Sequence, residues 1–246
     1  MKVGLFIPCY IDKFYPHVGI ATLEFLEKSG VTVEYPVNQT CCGQPMANSG
    51  YEFESIKVYD HFINTFGKYD YIVTPSASCA YHVHKHYNIL PQTPEVHAVR
   101  SNIFEFVHFV TEILQIKNIP GSFPHTIGLH VSCHGQRGLK NATASEITQD
   151  QQGDALNLLK TIPDIKLTVL DRNDECCGFG GAFCVTEEAV SSRMGIDRIK
   201  DHVKNGTQIL TSGDMSCLMH LDGIIRRQQL PIKVMHIAEI LNQATV

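Results

Sequence analysis

Eight of the nine cysteines in this 246-residue chain fall into two sets with the same order. The first set is Cys9, the pair Cys41-Cys42 followed by Gly43, and Cys79, with thirty-one and thirty-six residues between the thiols. The second is Cys133, the pair Cys176-Cys177 followed by Gly178, and Cys217, spaced by forty-two and thirty-nine residues. Thiolates are soft ligands, and four of them suit zinc or an iron–sulfur cluster. Where thiols are kept reduced, such cysteines are more often metal-bound, cluster-bound or catalytic than paired in disulfides. A glycine after each pair lets the backbone approach a bulky group without a Cβ clash. In the second set Gly178-Phe179-Gly180-Gly181 extends this into a loop able to form an amide-lined anion cradle. The downstream acid of a dinucleotide fingerprint is missing, so packing or cluster cover is a better reading of that loop than flavin or NAD.

Thiols this far apart in sequence meet only if regular elements carry them to one place. Short apolar, β-branched runs at 3–8, 31–35, 70–74, 127–132, 166–170, 207–211 and 232–236 read as buried strands. Helix-period stretches at 17–29, 52–66, 102–116, 150–161, 186–204 and 215–229 lie between them. Alternation of this kind predicts parallel sheets covered on both faces. The flanks repeat too: Lys2 to Pro8 and Thr126 to Ser132 are like runs ending on a cysteine, and 95–107 and 233–241 close each half with a strand-like piece running into a helix-like one. The fold class is therefore α/β, two tandem Rossmann-like units with parallel sheets related by duplication. The turn residues at Ile119-Pro120-Gly121-Ser122 place the division between 1–120 and 121–246. The expected assembly is two like domains about a pseudo-twofold, packed edge to edge. Each cysteine falls at or beyond a strand end, where ligands bind in open α/β sheets.

Composition narrows the choices further. The chain is 43% hydrophobic and 18% charged, with a formal charge of -5, and offers no basic footprint for nucleic acid. No apolar run approaches the roughly 18 residues of a membrane span. The short apolar start is broken by Pro8 and followed by Asp12 and Lys13, so it reads as a buried strand rather than a leader, and the expected location is cytoplasmic. No Gly-x-Ser-x-Gly elbow or Ser-His-Asp order supports hydrolysis.

The two Cys…Cys-Cys-Gly…Cys units resemble the cysteine-rich CCG domain found in heterodisulfide reductase and in the iron–sulfur component of glycolate oxidase. Cys41-Cys42-Gly43-Gln44-Pro45, the run Cys176 to Gly181, and Val234-Met235-His236-Ile237-Ala238-Glu239 resemble the lactate utilisation protein A family over essentially the whole chain. That resemblance implies an oxidoreductase component: an iron–sulfur subunit of an L-lactate-oxidising system that makes pyruvate with two further lactate-utilisation subunits. It implies cluster ligation, by a four-iron four-sulfide (4Fe-4S) type, through Cys9, Cys41, Cys42 and Cys79 and through Cys133, Cys176, Cys177 and Cys217. Heterodisulfide-reductase-like thiol/disulfide chemistry and a zinc-binding structural or assembly module are the alternatives. The wider pattern ends each unit in Cys-x-x-Cys, whereas this chain has Cys79-Ala80-Tyr81-His82 and Cys217-Leu218-Met219-His220, which makes His82 and His220 candidate nitrogen ligands.

Other residues carry blander expectations. Cys184 has no counterpart in the first unit and reads as a buried thiol. The His82, His84, His86 run suits a helix end. His130 and His134 flank Cys133 and could tune it, although satisfied core or surface positions are the default for a histidine. Asp171, Asp174 and Glu175 read as a solvated loop.

Overall fold

The structure, a computed structural model, describes residues 1–144 and 152–245. The first unit runs β1 (Lys2–Leu5), α1 (Cys9–Phe14), α2 (Pro16–Lys28), β2 (Thr32–Glu34), α3 (Gln44–Asn48), α4 (Ile56–Phe66), β3 (Tyr71–Thr74), α5 (Ala77–His86), α6 (Pro94–Asn102), β4 (Ile103–Glu105) and α7 (Phe106–His108). A π-helical turn, Phe109–Ile113, continues α7. The second unit runs β5 (Thr126–Leu129), a π-helical turn at His134–Gly138, α8 (Asp154–Leu159), β6 (Lys166–Leu167), α9 (Phe183–Thr186), α10 (Glu188–Lys204), β7 (Ile209–Thr211), α11 (Met215–Arg227), β8 (Lys233–Val234) and α12 (Ile237–Gln243).

Each unit forms a four-stranded, all-parallel sheet, and the strand order is the same in both: β2-β1-β3-β4 and β6-β5-β7-β8. The expected α/β duplication is therefore present as two sheets of one topology. Local sequence misled in one stretch. Residues 102–116 have helical period, yet Ile103–Glu105 pairs with β3, Ile72 opposite Ile103 and Thr74 opposite Glu105. Pairing with a neighbouring strand overrides a weak local propensity. Helices α5 and α6 were not separated from their surroundings by period alone. The first two residues of the 150–161 helical stretch lie outside the described residues, and the helix that follows is Asp154–Leu159.

Edge-to-edge packing is replaced by an exchange of helices. α12, which closes the second unit, packs on α2 of the first, and α7, which closes the first, packs on α8 of the second. Phe25 and Leu26 of α2, Phe106 and Val107 of α7, Leu158 of α8 and Ile240 of α12 join one buried core with residues of both sheets, Leu5 and Leu210 among them. Phe25 meets Phe106 edge-on at 5.4 Å. Parallel sheets need both faces covered, and one shared helical layer covers a face of each. Among the described residues no helix is long and apolar enough to cross a membrane.

The starts of α5 and α11 meet at the centre of this exchange. Ser76 and Asp214, their N-caps, form an isolated antiparallel bridge. Ser76 Oγ accepts the N–H of Cys79 at 3.3 Å. Asp214 Oδ1 accepts the N–H of Ser216 at 3.0 Å, and its Oδ2 accepts the N–H of Ser78 in the other unit at 2.7 Å. One carboxylate thus satisfies amides at both helix N-termini, where negative charge is favoured. This pins Cys79 and Cys217 close to the boundary between the units.

Candidate metal centre

All eight paired cysteines reach the carboxyl ends of the strands. Cys9 opens α1, Cys133 precedes the π-helical turn at His134, the two Cys-Cys pairs lie in the loops before α3 and α9, and Cys79 and Cys217 lie in the first turns of α5 and α11. Within the first set Cys41 lies beside Cys42 and Cys9, and Cys42 beside Cys79. The second set repeats this, with Cys176 beside Cys133 and Cys177, and Cys177 beside Cys217. The thiols are therefore two packed groups of four, and no disulfide joins any of them.

The charge within each group is uneven. Hydrogen bonds from Cys42 and Cys9, with the N–H of Gly43, hold Cys41 down to about 3. Bonds from Cys133 and Cys177, with the N–H of Gly178, hold Cys176 down to about 2. Cys9 and Cys133 are pushed up by bonding to Cys41 and Cys176 and by burial, and Cys42 and Cys177 are pushed up in the same way. In each group the sulfur that accepts a backbone amide is the one drawn toward the thiolate form. A metal, which binds the thiolate form, would displace the remaining thiol protons.

The glycines shape the loops. Gly43 and Gly178 both sit at φ of 88°, in the left-handed region. A Cβ on Gly43 would lie 2.5 Å from Tyr59 Cε1, and one on Gly178 would lie 2.5 Å from the Ser191 carbonyl oxygen. Their amides donate to Cys41 Sγ at 3.3 Å and Cys176 Sγ at 3.4 Å. The N–H of Phe179 adds a 3.5 Å bond to Cys177 Sγ. Gly180 and Gly181 line the space in front of the thiols.

Both groups open onto one cavity of about 470 Å³, lined by Cys9, Cys41, Cys42 and Cys79 from one unit and Cys133, Cys176, Cys177 and Cys217 from the other. That size lies within the roughly 300–1,000 Å³ of cofactor and small-molecule sites. Cys184, expected to be a buried thiol, lines the same cavity, and its Sγ donates to the Gly181 carbonyl at 3.1 Å. His82 and His220 do not line it. His82 Nε2 is 3.0 Å from the Tyr59 hydroxyl, and His220 Nε2 is 3.4 Å from the Ser191 carbonyl. His134 lies on the cavity, its Nδ1 3.9 Å from Cys133 Sγ. His130, by contrast, is 1% exposed, and one of its ring nitrogens lies with Cys177 Sγ and Cys217 Sγ all within 4.8 Å. The clustered cysteines are a donor set fit for metal binding.

Arg198 went unnoticed in the sequence. It is fully buried, and its Nε donates to His130 Nδ1 at 3.2 Å. The signal that finds it is the comparison of the two units: His130 aligns with Phe6 three residues before each unit's first cysteine, and Arg198 occupies the place of Phe62.

Comparison with known proteins agrees with this architecture. The family model of the CCG cysteine-rich domain matches residues 3–84 and 127–222. Lactate utilization protein A of Halalkalibacterium halodurans is 37% identical over 246 residues, covering 98% of this chain and 97% of that protein. The protein of the same name from Bacillus pumilus is also 37% identical, over 98% of this chain and 99% of the relative. Among solved structures, glutamate racemase from Francisella tularensis overlays with a TM-score of 0.37 at 9% identity, over 98% of this chain and 78% of that one, too loosely to bear on function. With two matched cysteine-rich domains and end-to-end relatives at this identity, the chain belongs to the lactate utilization protein A family.

Proposed function

We propose that the chain is the iron–sulfur subunit of a cytoplasmic system that oxidises L-lactate to pyruvate. Its units, 1–120 and 121–246, would each hold a cluster of the 4Fe-4S type: Cys9, Cys41, Cys42 and Cys79 the first, Cys133, Cys176, Cys177 and Cys217 the second. The observation that carries the reading is the pair of four-thiol groups facing one cavity, each with a sulfur that accepts the amide of the following glycine. A bound cluster supplies one-electron chemistry, with a potential set by hydrogen bonds to sulfur and by exposure. The protein's own part is to hold the thiols together, point N–H groups at them and shelter them. An iron–sulfur cluster moves single electrons and is not suited to taking a hydride from a hydroxy acid, so that step is assigned to two partner subunits.

The low-titrating thiols Cys41 and Cys176 favour one second reading, thiol–disulfide exchange at the same cavity. Iron, sulfide and zinc analysis of protein purified without oxygen separates the cases. About four irons per set with matching sulfide and visible absorbance supports electron transfer. Zinc without sulfide points to a structural module, and neither leaves the exchange reading. Changing both Cys176 and Cys177 to Ser is expected to abolish lactate oxidation by the assembled system, and unimpaired oxidation would rule the proposal out.

A further inference from the structure

The two groups of thiols have different walls, and the difference has a chemical sense. In the first unit Ser55 Oγ lies 3.5 Å from the Gly43 carbonyl, and in the second Ser191 Oγ lies 2.7 Å from the Gly178 carbonyl, so the two serines correspond. Counting four, seven and eleven residues on gives Tyr59, Phe62 and Phe66 in α4, and Gly195, Arg198 and His202 in α10. Phe6 meets Phe62 edge-on at 4.9 Å. At the same two positions the second unit has His130 and Arg198, joined by a hydrogen bond.

That bond selects the tautomer of His130. A guanidinium only donates, so Nδ1 must present its lone pair to Arg198 Nε, and the neutral ring then carries its proton on Nε2. His130 Nε2 is buried and has no partner among the described residues. One ring nitrogen of His130 and the sulfurs of Cys177 and Cys217 lie within 4.8 Å of one another, and Nδ1 is already taken by Arg198. A protonated ring nitrogen has no lone pair for a metal, so the grouping of His130 with these two thiols is a donor facing two acceptors, not a three-ligand metal site. Arg198 is itself short of partners: Asp201 Oδ2 is 3.4 Å from Nη1, the Arg172 carbonyl accepts from the same nitrogen, and Nη2 has no partner among the described residues. A buried cation so incompletely paired suits an anionic neighbour.

We propose that His130, locked by Arg198, donates its Nε2–H to the thiolates of Cys177 and Cys217, giving the second centre a higher reduction potential than the first. This rests on the iron–sulfur reading. N–H donors to sulfur stabilise the more negative, reduced state of a cluster. The Arg198 charge acts in the same sense through a medium of low dielectric constant. The backbone adds to the bias, because the second pair receives amides from both Gly178 and Phe179, whereas among the described residues only the amide of Gly43 is bonded to the first pair. Phe6 and Phe62 offer the first centre no donor. Here His130 is a positioning residue for the centre, and Arg198 positions His130.

The test is a potentiometric titration, followed by electron paramagnetic resonance, of full-length protein loaded without oxygen with iron and sulfide. Two potentials are expected. His130→Phe should lower the upper one and leave the lower one in place, while His130→Gln, which keeps an N–H donor, should restore most of the shift. Equal potentials in the starting protein, or an upper potential that His130→Phe does not move, would overturn the proposal. If the protein takes up no iron and sulfide, the iron–sulfur reading fails instead. Nitrogen-15 shifts of His130 in the metal-free chain then decide the remainder: protonation at Nε2 upholds the donor, and protonation at Nδ1 overturns it.

Discussion

Around Cys41 and Cys42 the first unit places Phe6, Tyr59, Phe62, Phe66 and Tyr87, a continuous aromatic wall in which Phe62 stacks on Phe66 at 4.5 Å and Tyr59 on Tyr87 at 4.2 Å. At the matching positions around Cys176 and Cys177 the second unit places His130, Gly195, Arg198 and His202; His130 is bonded to Arg198, Arg198 to Asp201, and His202 to Thr207. Strand order, thiol order and the left-handed glycine are shared by the two units. Backbone path and ligand geometry are thus held in common, while the wall differs in its chemistry. Aromatic rings stabilise through area and edge-to-face contact. A buried guanidinium stabilises only while its partners remain in place.

The sharpest way to break this contrast is Asp201→Ala. Asp201 accepts the N–H of Asp171 and of Arg172 at 3.0 and 3.1 Å, and it is the carboxylate paired with Arg198. Its removal leaves a buried cation unmatched, and a loss of about 3–5 kcal/mol in chemical denaturation is expected. A loss below about 1 kcal/mol would show that the network carries little structural weight.

Next come two equivalent helix caps that titrate in opposite senses. Glu105 caps α7 and His236 caps α12. Burial pushes Glu105 up to about 7, against the N–H groups of Val107 and His108 and the His108 charge, with Asp154 adding to the rise. Burial lowers His236 to about 4, against the nearby Asp214 charge, with His17 adding to the fall. The stability from neutral Glu105 is complete below its unfolded value, near 4.5, and is lost as pH rises through about 7. The stability from neutral His236 is complete above its unfolded value, near 6.5, and is lost as pH falls through about 4. Each limb is worth roughly 3 kcal/mol. Glu105→Gln should flatten the alkaline limb and His236→Asn the acid limb, as read by melting temperature against pH. If both variants leave both limbs unchanged, these caps are not the titrating groups.

The two glycines sharpen the comparison at smaller scale. Gly178→Ala drives a Cβ into the Ser191 carbonyl of α10, whereas Gly43→Ala meets the edge of the Tyr59 ring. The first is expected to cost about 2–3 kcal/mol and the second about 1 kcal/mol less, because backbone yields less readily than a side chain. A smaller effect is expected of Tyr59→Phe, which removes the bond to His82 and should cost about 1 kcal/mol. His220→Gln in the second unit should stay within about 0.5 kcal/mol, since its bond to Ser191 is long at 3.4 Å.

Along the chain, the eight thiols, their glycines and the apolar runs around them declare a duplicated α/β protein with a sulfur-rich site. These signals are local: period 2 or 3.6, a turn residue, a Cys-Cys-Gly triplet. Strand β4 was obscured because Ile103, Phe104 and Glu105 follow α6 without a break, and only pairing with β3 draws them into the sheet. The His130–Arg198 pair was obscured because its members stand 68 residues apart, on β5's exit and on α10. A histidine before a cysteine and an arginine in a charged helix each look ordinary alone.

The sequence by itself determined which atoms could bind a metal, how many units carry them and that parallel strands deliver them to one end of each sheet. Tertiary structure alone decided that α2 and α7 would pack against α12 and α8, so that both thiol groups face one cavity. It also decided that one group would sit against aromatic rings and the other against a buried imidazole and guanidinium. Donor type is a property of the residue, but the direction of a donor and the dielectric around it are set by what the rest of the chain packs against it.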